Sequence, residues 1–318
     1  MQEVSVIIPN YNGIAYLDGV LASLERQTCR DFETILVDNG SADGSVAFVT
    51  GNYPWVHIVE LPENFGFSRA VNEGIYASRT PYVLLLNNDT EVETDFVEEM
   101  LRCIRRHENA FSCSARMVRF HQRDRIDDAG NYYCALGWAF ARGKGKDIHC
   151  FEKEQKIFTS CAGAAIYRKK IFEKIGYFDE EHFAYLEDID VGYRARIQGY
   201  ENWFAPKAVV YHMGSGTSGS RYNQFKTRYS SRNNIYLIYK NMPFLQILLN
   251  LPFLLVGFGL KILFFIQKGM GREYIAGIKN GFQLCHRDRK VKFQMKNLGH
   301  YIRIQLELWA NLVRRFAS

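Results

Sequence analysis

The stretch Tyr82 to Thr90, reading Tyr-Val-Leu-Leu-Leu-Asn-Asn-Asp-Thr, restricts the folds open to this 318-residue chain more than any other. A short run that is apolar on both faces suits a central strand of a covered parallel sheet. The amides and acid that follow, Asn87, Asn88 and Asp89, would then stand at the strand's carboxyl edge, where open α/β sheets bind their ligands. A carboxylate with amide neighbours suits a hard divalent cation holding phosphate oxygens. The alternative is that Asp89-Thr90 only opens a turn or caps a helix over Phe96 to His107.

The flanking sequence supports such a sheet. Val4 to Pro9 is a β-branched run, followed by the loop Pro9-Asn10-Tyr11-Asn12-Gly13 and apolar residues at helical spacing from Ile14 to Leu24. Thr34 to Val37 predicts a second strand ending in Asp38-Asn39-Gly40-Ser41, with a short helix near Val46 and a third strand at Val56 to Val59. Glu63 to Arg69 leads into a helix through Ile75. Alternation of this kind predicts a doubly wound parallel sheet with helices on both faces. The loops after Pro9, Val37 and Leu86 then share one edge and one crevice. No G-x-G-x-x-G follows the first strand and no G-x-x-x-x-G-K-[ST] occurs, which argues against dinucleotide and P-loop chemistry.

Further along, Phe111 to Val118 predicts another strand, while the charged, glycine-bearing residues 119 to 156 predict an irregular binding loop. Small residues crowd Ser160 to Ile166, consistent with backbone close to a ligand. Glu187, Asp188 and Asp190 open a predicted helix, with aromatics Phe183, Tyr185 and Tyr193 around them. Acids in a first turn stabilise a helix by roughly 0.3–1 kcal/mol each, and Asp190 with Arg194 at i,i+4 reads equally as an ion pair. His212, after a strand through Trp203 to Val210, is a candidate ligand ahead of a Gly/Ser-rich run to Ser220. The seven cysteines lack ligand spacing and predict reduced thiols, and Met1-Gln2-Glu3 offers no basic signal-peptide region.

Eight motifs in order, over about residues 4 to 241, resemble inverting family 2 glycosyltransferases of GT-A fold, in particular bacterial rhamnosyltransferase-like members. They are VSVIIPNYNG, VDNGSADGS, ENFGFSRAVNEGI, LLLNNDTEV, CAGAAIYRKKIFEKIGYFDE, YLEDIDVGYRARIQGY, VYHMGSGTS and YSSRNNIYLIYKN. The resemblance implies that Pro9, Asn10, Tyr11, Asp38 and Asn39 hold the nucleotide of a sugar donor. It sets Asn64, Gly66 and Arg69 near the donor diphosphate, with Asn88 beside them. It makes Asp89 the last acid of a D-x-D metal motif for Mg²⁺ or Mn²⁺, although Asn87 replaces the first acid, and it adds His212 as a further metal ligand. Glu187-Asp188 matches the acidic pair whose second member is the catalytic base, expected at a helix N-terminus to have a low pKa. The implied donor is dTDP-rhamnose or a UDP-hexose, and the acceptor a cell-surface glycan or a lipid-linked glycan.

The chain thus divides into a catalytic domain over 1–241, with a donor half to about 118 and an acceptor half beyond, and a tail over 242–318. Residues 261 to 318 carry 12 Lys+Arg against 3 Asp+Glu, and Pro243 to Leu260 is uncharged. That run is at the lower limit of a spanning helix, and Gln246, Asn250 and Pro252 argue for an interfacial segment. The tail therefore predicts a membrane surface as partner, at the inner face of the cell membrane, or alternatively a homodimer contact. A nucleotidyltransferase would need a Lys in the first loop. Nucleic-acid binding by the basic tail would not need its apolar run.

Overall fold

The computed structural model describes residues 2–214 and 222–317. The strands are β1 (Val4–Asn10), β2 (Phe32–Asp38), β3 (His57–Glu60), β4 (Tyr82–Leu86), β5 (Thr90–Val92), β6 (Ala110–Arg119), β7 (Gln122–Asp128), β8 (Asn131–Cys134), β9 (Trp138–Ala141), β10 (Gln155–Ile157), β11 (Ala164–Arg168) and β12 (Glu201–His212). The helices are α1 (Ile14–Glu25), α2 (Ser45–Asn52), α3 (Phe67–Ala77), α4 (Phe96–Arg106), α5 (Lys169–Ile175), α6 (Glu187–Ile197), α7 (Gln224–Asn241), α8 (Phe244–Gln267), α9 (Gly271–Gln283) and α10 (Leu298–Ala317).

The sheet runs β10-β12-β6-β11-β4-β1-β2-β3. Its first half, β4-β1-β2-β3, is wholly parallel, as the alternation of elements predicts. β11 enters antiparallel between β4 and β6, and β12 lies parallel to β6. Alternate residues of each strand serve opposite faces. Val4, Val6 and Ile8 join Leu84 and Leu86 under α1 and α4, whereas Ile7 joins Ile35, Val37, Val83 and Leu85 under α3 and α5. Thr90 begins β5 rather than capping a helix, and Asp95 precedes α4, so the capping alternative for Asp89 does not hold.

Residues 119 to 156 are not the irregular loop expected from their charge. β7 pairs with β6, β8 and β9 form a hairpin, and β10 closes the sheet edge. Tyr132 and Tyr133 on β8 find their apolar partners in a third cluster with Phe158, Ile189, Tyr193, Leu237, Leu254, Tyr301, Ile304 and Leu308. This cluster crosses position 241/242. Ala135 N–H donates to Leu308 O at 3.1 Å, and Asn311 Nδ2 donates to Tyr133 O at 2.8 Å.

Within the tail, α8 buries one stripe, Gln246, Asn250, Leu254 and Gly257. Its polar members are not exposed interruptions of an apolar run. Asn250 exchanges two 2.8 Å hydrogen bonds with Gln305 of α10, and Gln246 donates to the same Gln305 at 3.0 Å. Trp138 Nε1 donates to Gly257 O at 3.1 Å, and a Cβ on Gly257 would meet Leu136 O at 2.1 Å, so only glycine admits the β8–β9 hairpin here. Most of the rest of α8 is exposed and apolar: its 24 residues have a mean hydropathy of 2.1 in the best window, long and apolar enough to cross a membrane.

Candidate active site

A cavity of about 870 Å³ opens at the carboxyl ends of the parallel strands. Pro9, Asn10 and Tyr11 from β1, Asn39 after β2, Asn64 and Gly66 before α3, and Asn87, Asn88 and Asp89 after β4 all line it. Asn10 organises this edge. Its Nδ2 donates to Asp38 Oδ1 at 3.0 Å, and its Oδ1 accepts from Asn88 Nδ2 at 2.7 Å, tying three strand ends together. Asn39 Nδ2 donates to Asn64 Oδ1 at 3.0 Å, while its Oδ1 accepts from Phe65 N–H at 3.0 Å. A Cβ at Gly13 would lie 2.1 Å from the Asn88 amide nitrogen and 2.5 Å from Asn10 Oδ1, so a side chain there would displace the pair that ties the strand ends.

Two expected donor residues are not on the cavity wall. Asp38 is buried behind it, with Oδ2 accepting from Ser41 N–H at 2.9 Å. Arg69 lies outside, paired with Glu73 at 2.6 Å and Glu180 at 3.2 Å. A cation that the sequence did not single out, Lys226 in the first turns of α7, lines the cavity instead. Burial lowers its pKa, and the field of Asp89 opposes that shift.

Asp89 and His212 come together, with Oδ1 and Nε2 3.4 Å apart. The other ring nitrogen of His212 bonds Asp127 Oδ2 at 2.8 Å. Burial alone would lower the His212 pKa, but the hydrogen bonds to Asp127 and Asp89 hold it at about 9. Asp127 was not legible because β7 brings it from a segment with no motif. Residues 215–218 of VYHMGSGTS, and the Gly/Ser run to Ser220, lie outside the described residues.

Glu187 and Asp188 line the cavity at the start of α6. Asp188 is half-buried; Oδ1 accepts from Ile189 N–H at 2.7 Å and Oδ2 from Asn131 Nδ2 at 3.3 Å. The low pKa expected from the helix terminus does not materialise. Desolvation outweighs the backbone N–H groups and raises it to about 6. Glu187 is more buried, its Oε2 has no hydrogen-bond partner, and burial with the adjacent Asp188 charge raises it to about 8. Asp190 instead points into a saturated network with Arg194, Lys240 and Asn241. Asp179, His182 and Asp190 cluster closely enough for a metal, but Lys240 already bridges the two carboxylates. A second grouping, Cys103, His107 and Glu154, is engaged by His107–Glu154 and Arg106–Glu154 pairs.

A sheet of this order with a polar cleft across its parallel strand ends is the GT-A glycosyltransferase fold. It is shared with GalNAc-T7 crystallised with UDP, GalNAc and Mn²⁺ (TM-score 0.61, 15% identity, 75% of this chain and 48% of that one). The chain thus spans about half the length of that protein's chain. It is shared also with mannosyltransferase PcManGT from Pyrobaculum calidifontis in complex with GDP-Man and Mn²⁺ (TM-score 0.55, 16% identity, 88% and 87% covered). The chain belongs to glycosyl transferase family 2, whose model matches residues 5–176, and it is a glycosyltransferase. Among curated relatives, the N-acetylglucosaminyl-diphospho-decaprenol L-rhamnosyltransferase of Mycobacterium tuberculosis (strain CDC 1551 / Oshkosh) is 25% identical over 237 residues, 67% of this chain and 77% of the relative.

The raised Glu187 pKa has a thermodynamic consequence. Between about 4.5 and about 8 the unfolded chain has released this proton and the folded chain still holds it. Stability therefore falls as pH rises through that window. Glu187→Gln should raise Tm relative to the parent at pH 7.5, with the difference vanishing near pH 4.5 in thermal denaturation. An equal difference at both pH values would contradict the burial of an ionisable Glu187.

Proposed function

We propose that the chain moves a sugar from a nucleotide-diphospho-sugar to a hydroxyl of a glycan or lipid-linked acceptor, inverting the anomeric carbon. The observation that carries this reading is the half-buried Asp188, with a pKa of about 6, in the same cavity as the amide-lined strand ends. As the acceptor oxygen bonds to the anomeric carbon, the bond to the diphosphate breaks and the hydroxyl proton passes to Asp188. A base poised near neutral pH suits that transfer. Glu187, neutral at pH 7, leaves Asp188 as the anionic member of the pair.

Asn10, Tyr11 and Asn39 offer the polar and aromatic groups for the nucleotide, and Asp38 fixes the Asn10 amide. Lys226 takes the place beside the diphosphate that the sequence assigned to Arg69. The donor set fits a divalent cation: an oxygen of Asp89 and a nitrogen of His212 are 3.4 Å apart, and Asp127 fixes the ring's orientation. When bound there, Mg²⁺ or Mn²⁺ would offset the charge of the leaving diphosphate. The L-rhamnosyltransferase relative supports L-rhamnose as the sugar ahead of a hexose, and a diphospho-lipid acceptor.

The acceptor would be met at the inner face of the cell membrane. α8 exposes Leu248, Leu255, Val256, Leu260 and Leu263, with Lys268 directly after its end and Arg272 at the start of α9. Because its polar stripe is used against α10, α8 lies along the protein and presents a continuous apolar face, the arrangement of an interfacial helix. The charge runs beside an apolar surface, which favours anionic lipid over nucleic acid.

Three measurements test this. Asp188→Asn should lower the transfer rate by ~10²–10⁴ with donor affinity retained, and the parent rate should climb with pH through about 6 as the base deprotonates. Near-normal transfer by the variant would remove Asp188 from the role. Asp89→Ala should weaken donor binding in Mn²⁺ to the level seen with EDTA; identical calorimetric affinities in all three conditions would dismiss the metal site. For the tail, the full chain should sediment with phosphatidylglycerol vesicles, less so after Leu255→Ser/Val256→Ser. Neutralising Lys268 and Arg272 should remove a salt-sensitive part of about 1 kcal/mol each. A chain that ignores vesicles and is dimeric in solution would assign this face to a second copy.

A further inference from the structure

Three of the four residues before Glu187 have positive φ, and none is glycine: Phe183 at φ 60°, Tyr185 at 73° and Leu186 at 67°. Each such residue is strained and persists only where its surroundings impose it. Here a single side chain does most of the imposing. Asn233 of α7, fully buried, brings Nδ2 within 2.8 Å of His182 O, 2.8 Å of Ala184 O and 2.7 Å of Tyr185 O. Its Oδ1 accepts from Arg232 Nε at 2.9 Å, and Arg232 Nη2 in turn donates to Glu181 O and, at 3.0 Å, to His182 O.

The turn so held is the lead-in to α6. Leu186 is the residue before the helix, and Asp188 is the second residue of its first turn. The same turn abuts the donor half: Phe183 O accepts from Ser68 N–H at 3.3 Å, and a Cβ on Gly66 would come within 2.6 Å of the Phe183 ring. Returning Tyr185 or Leu186 to ordinary φ would swing the start of α6 relative to Asn131 and to the strand ends.

We propose that Asn233 is a positioning residue for the transfer reaction, fastening the Phe183–Leu186 turn in its positive-φ form and thereby setting where the Asp188 carboxylate stands relative to the donor. This rests on Asp188 being the base. Asn233 does not line the cavity, so its effect is exerted through the turn.

The experiment is a double-mutant cycle on the full-length chain, read by steady-state transfer and by donor calorimetry. Asn233→Ala should lower kcat about 10²-fold, the scale of a misplaced catalytic group, with donor affinity unchanged. In the Asp188→Asn background the same substitution should cost almost nothing more, because the group it positions is already disabled. Arg232→Ala, which removes the Nε bond to Asn233 and the two Nη2 bonds to the Glu181 and His182 carbonyls but leaves the three Asn233 Nδ2 bonds, should show the same kcat-selective loss to a smaller degree, and decides the question if Asn233→Ala does not fold. The proposal is overturned by a kcat equal to the parent's, by a matching loss of donor affinity, or by costs that add in full on Asp188→Asn. Full activity in Asp188→Asn alone would instead overturn the choice of base.

Discussion

The Asp190 carboxylate has no exposed surface and accepts from Arg194 Nε at 2.9 Å, Lys240 Nζ at 2.9 Å and Asn241 Nδ2 at 2.7 Å. Burial would raise its pKa, yet the two cations hold it far below the usual carboxylate range. Lys240 also reaches Asp179, which Tyr236 bonds at 2.7 Å. Breaking a buried pair by removing one partner costs about 3–5 kcal/mol, so this network fixes α6 against α7. Everything at the start of α6 depends on that docking. Within four residues the fold makes three different acids: Glu187 neutral, Asp188 titrating near neutrality, Asp190 always charged. Helix-terminus electrostatics alone would have lowered all three; desolvation instead raises Glu187 and Asp188, and only at Asp190 do the Arg194 and Lys240 cations overcome it.

Much of the donor side was legible. β4 is buried on both faces, and the loops after β1, β2 and β4 meet because parallel strands place their carboxyl ends together. Asn10, Asn39, Asn64, Asn88 and Asp89 therefore appear where their motifs suggested. Asp38 and Arg69 show the limit of that reasoning: a motif gives a residue's neighbourhood, not whether its side chain faces the cleft or is claimed by Ser41, Glu73 or Glu180. The rest of the site was harder to read. Asp127 behind His212, Asn131 beside Asp188, and Lys226 and Asn233 on α7 come from β7, β8 and α7, and each owes its placement to long-range packing.

Residues 119 to 156 illustrate the same point for the fold. Their tyrosines lack local apolar partners, so the segment reads as a loop, but Tyr132 and Tyr133 pack against helices more than a hundred residues away. In the tail, Gln246 and Asn250 look like interruptions of a membrane helix until Gln305 is placed opposite them. Polar residues in an apolar stretch can mark the face that meets protein rather than water.

The bonds from Ala135 to Leu308 and from Asn311 to Tyr133 also order events during synthesis. The donor-binding strands can assemble early, since domains fold from the N-terminus as they emerge. The β8–β9 wall must wait for α10, about 160 residues later. Nascent chains would therefore pass through a stage in which the parallel strands are assembled while the β8–β9 hairpin still lacks its partners on α10.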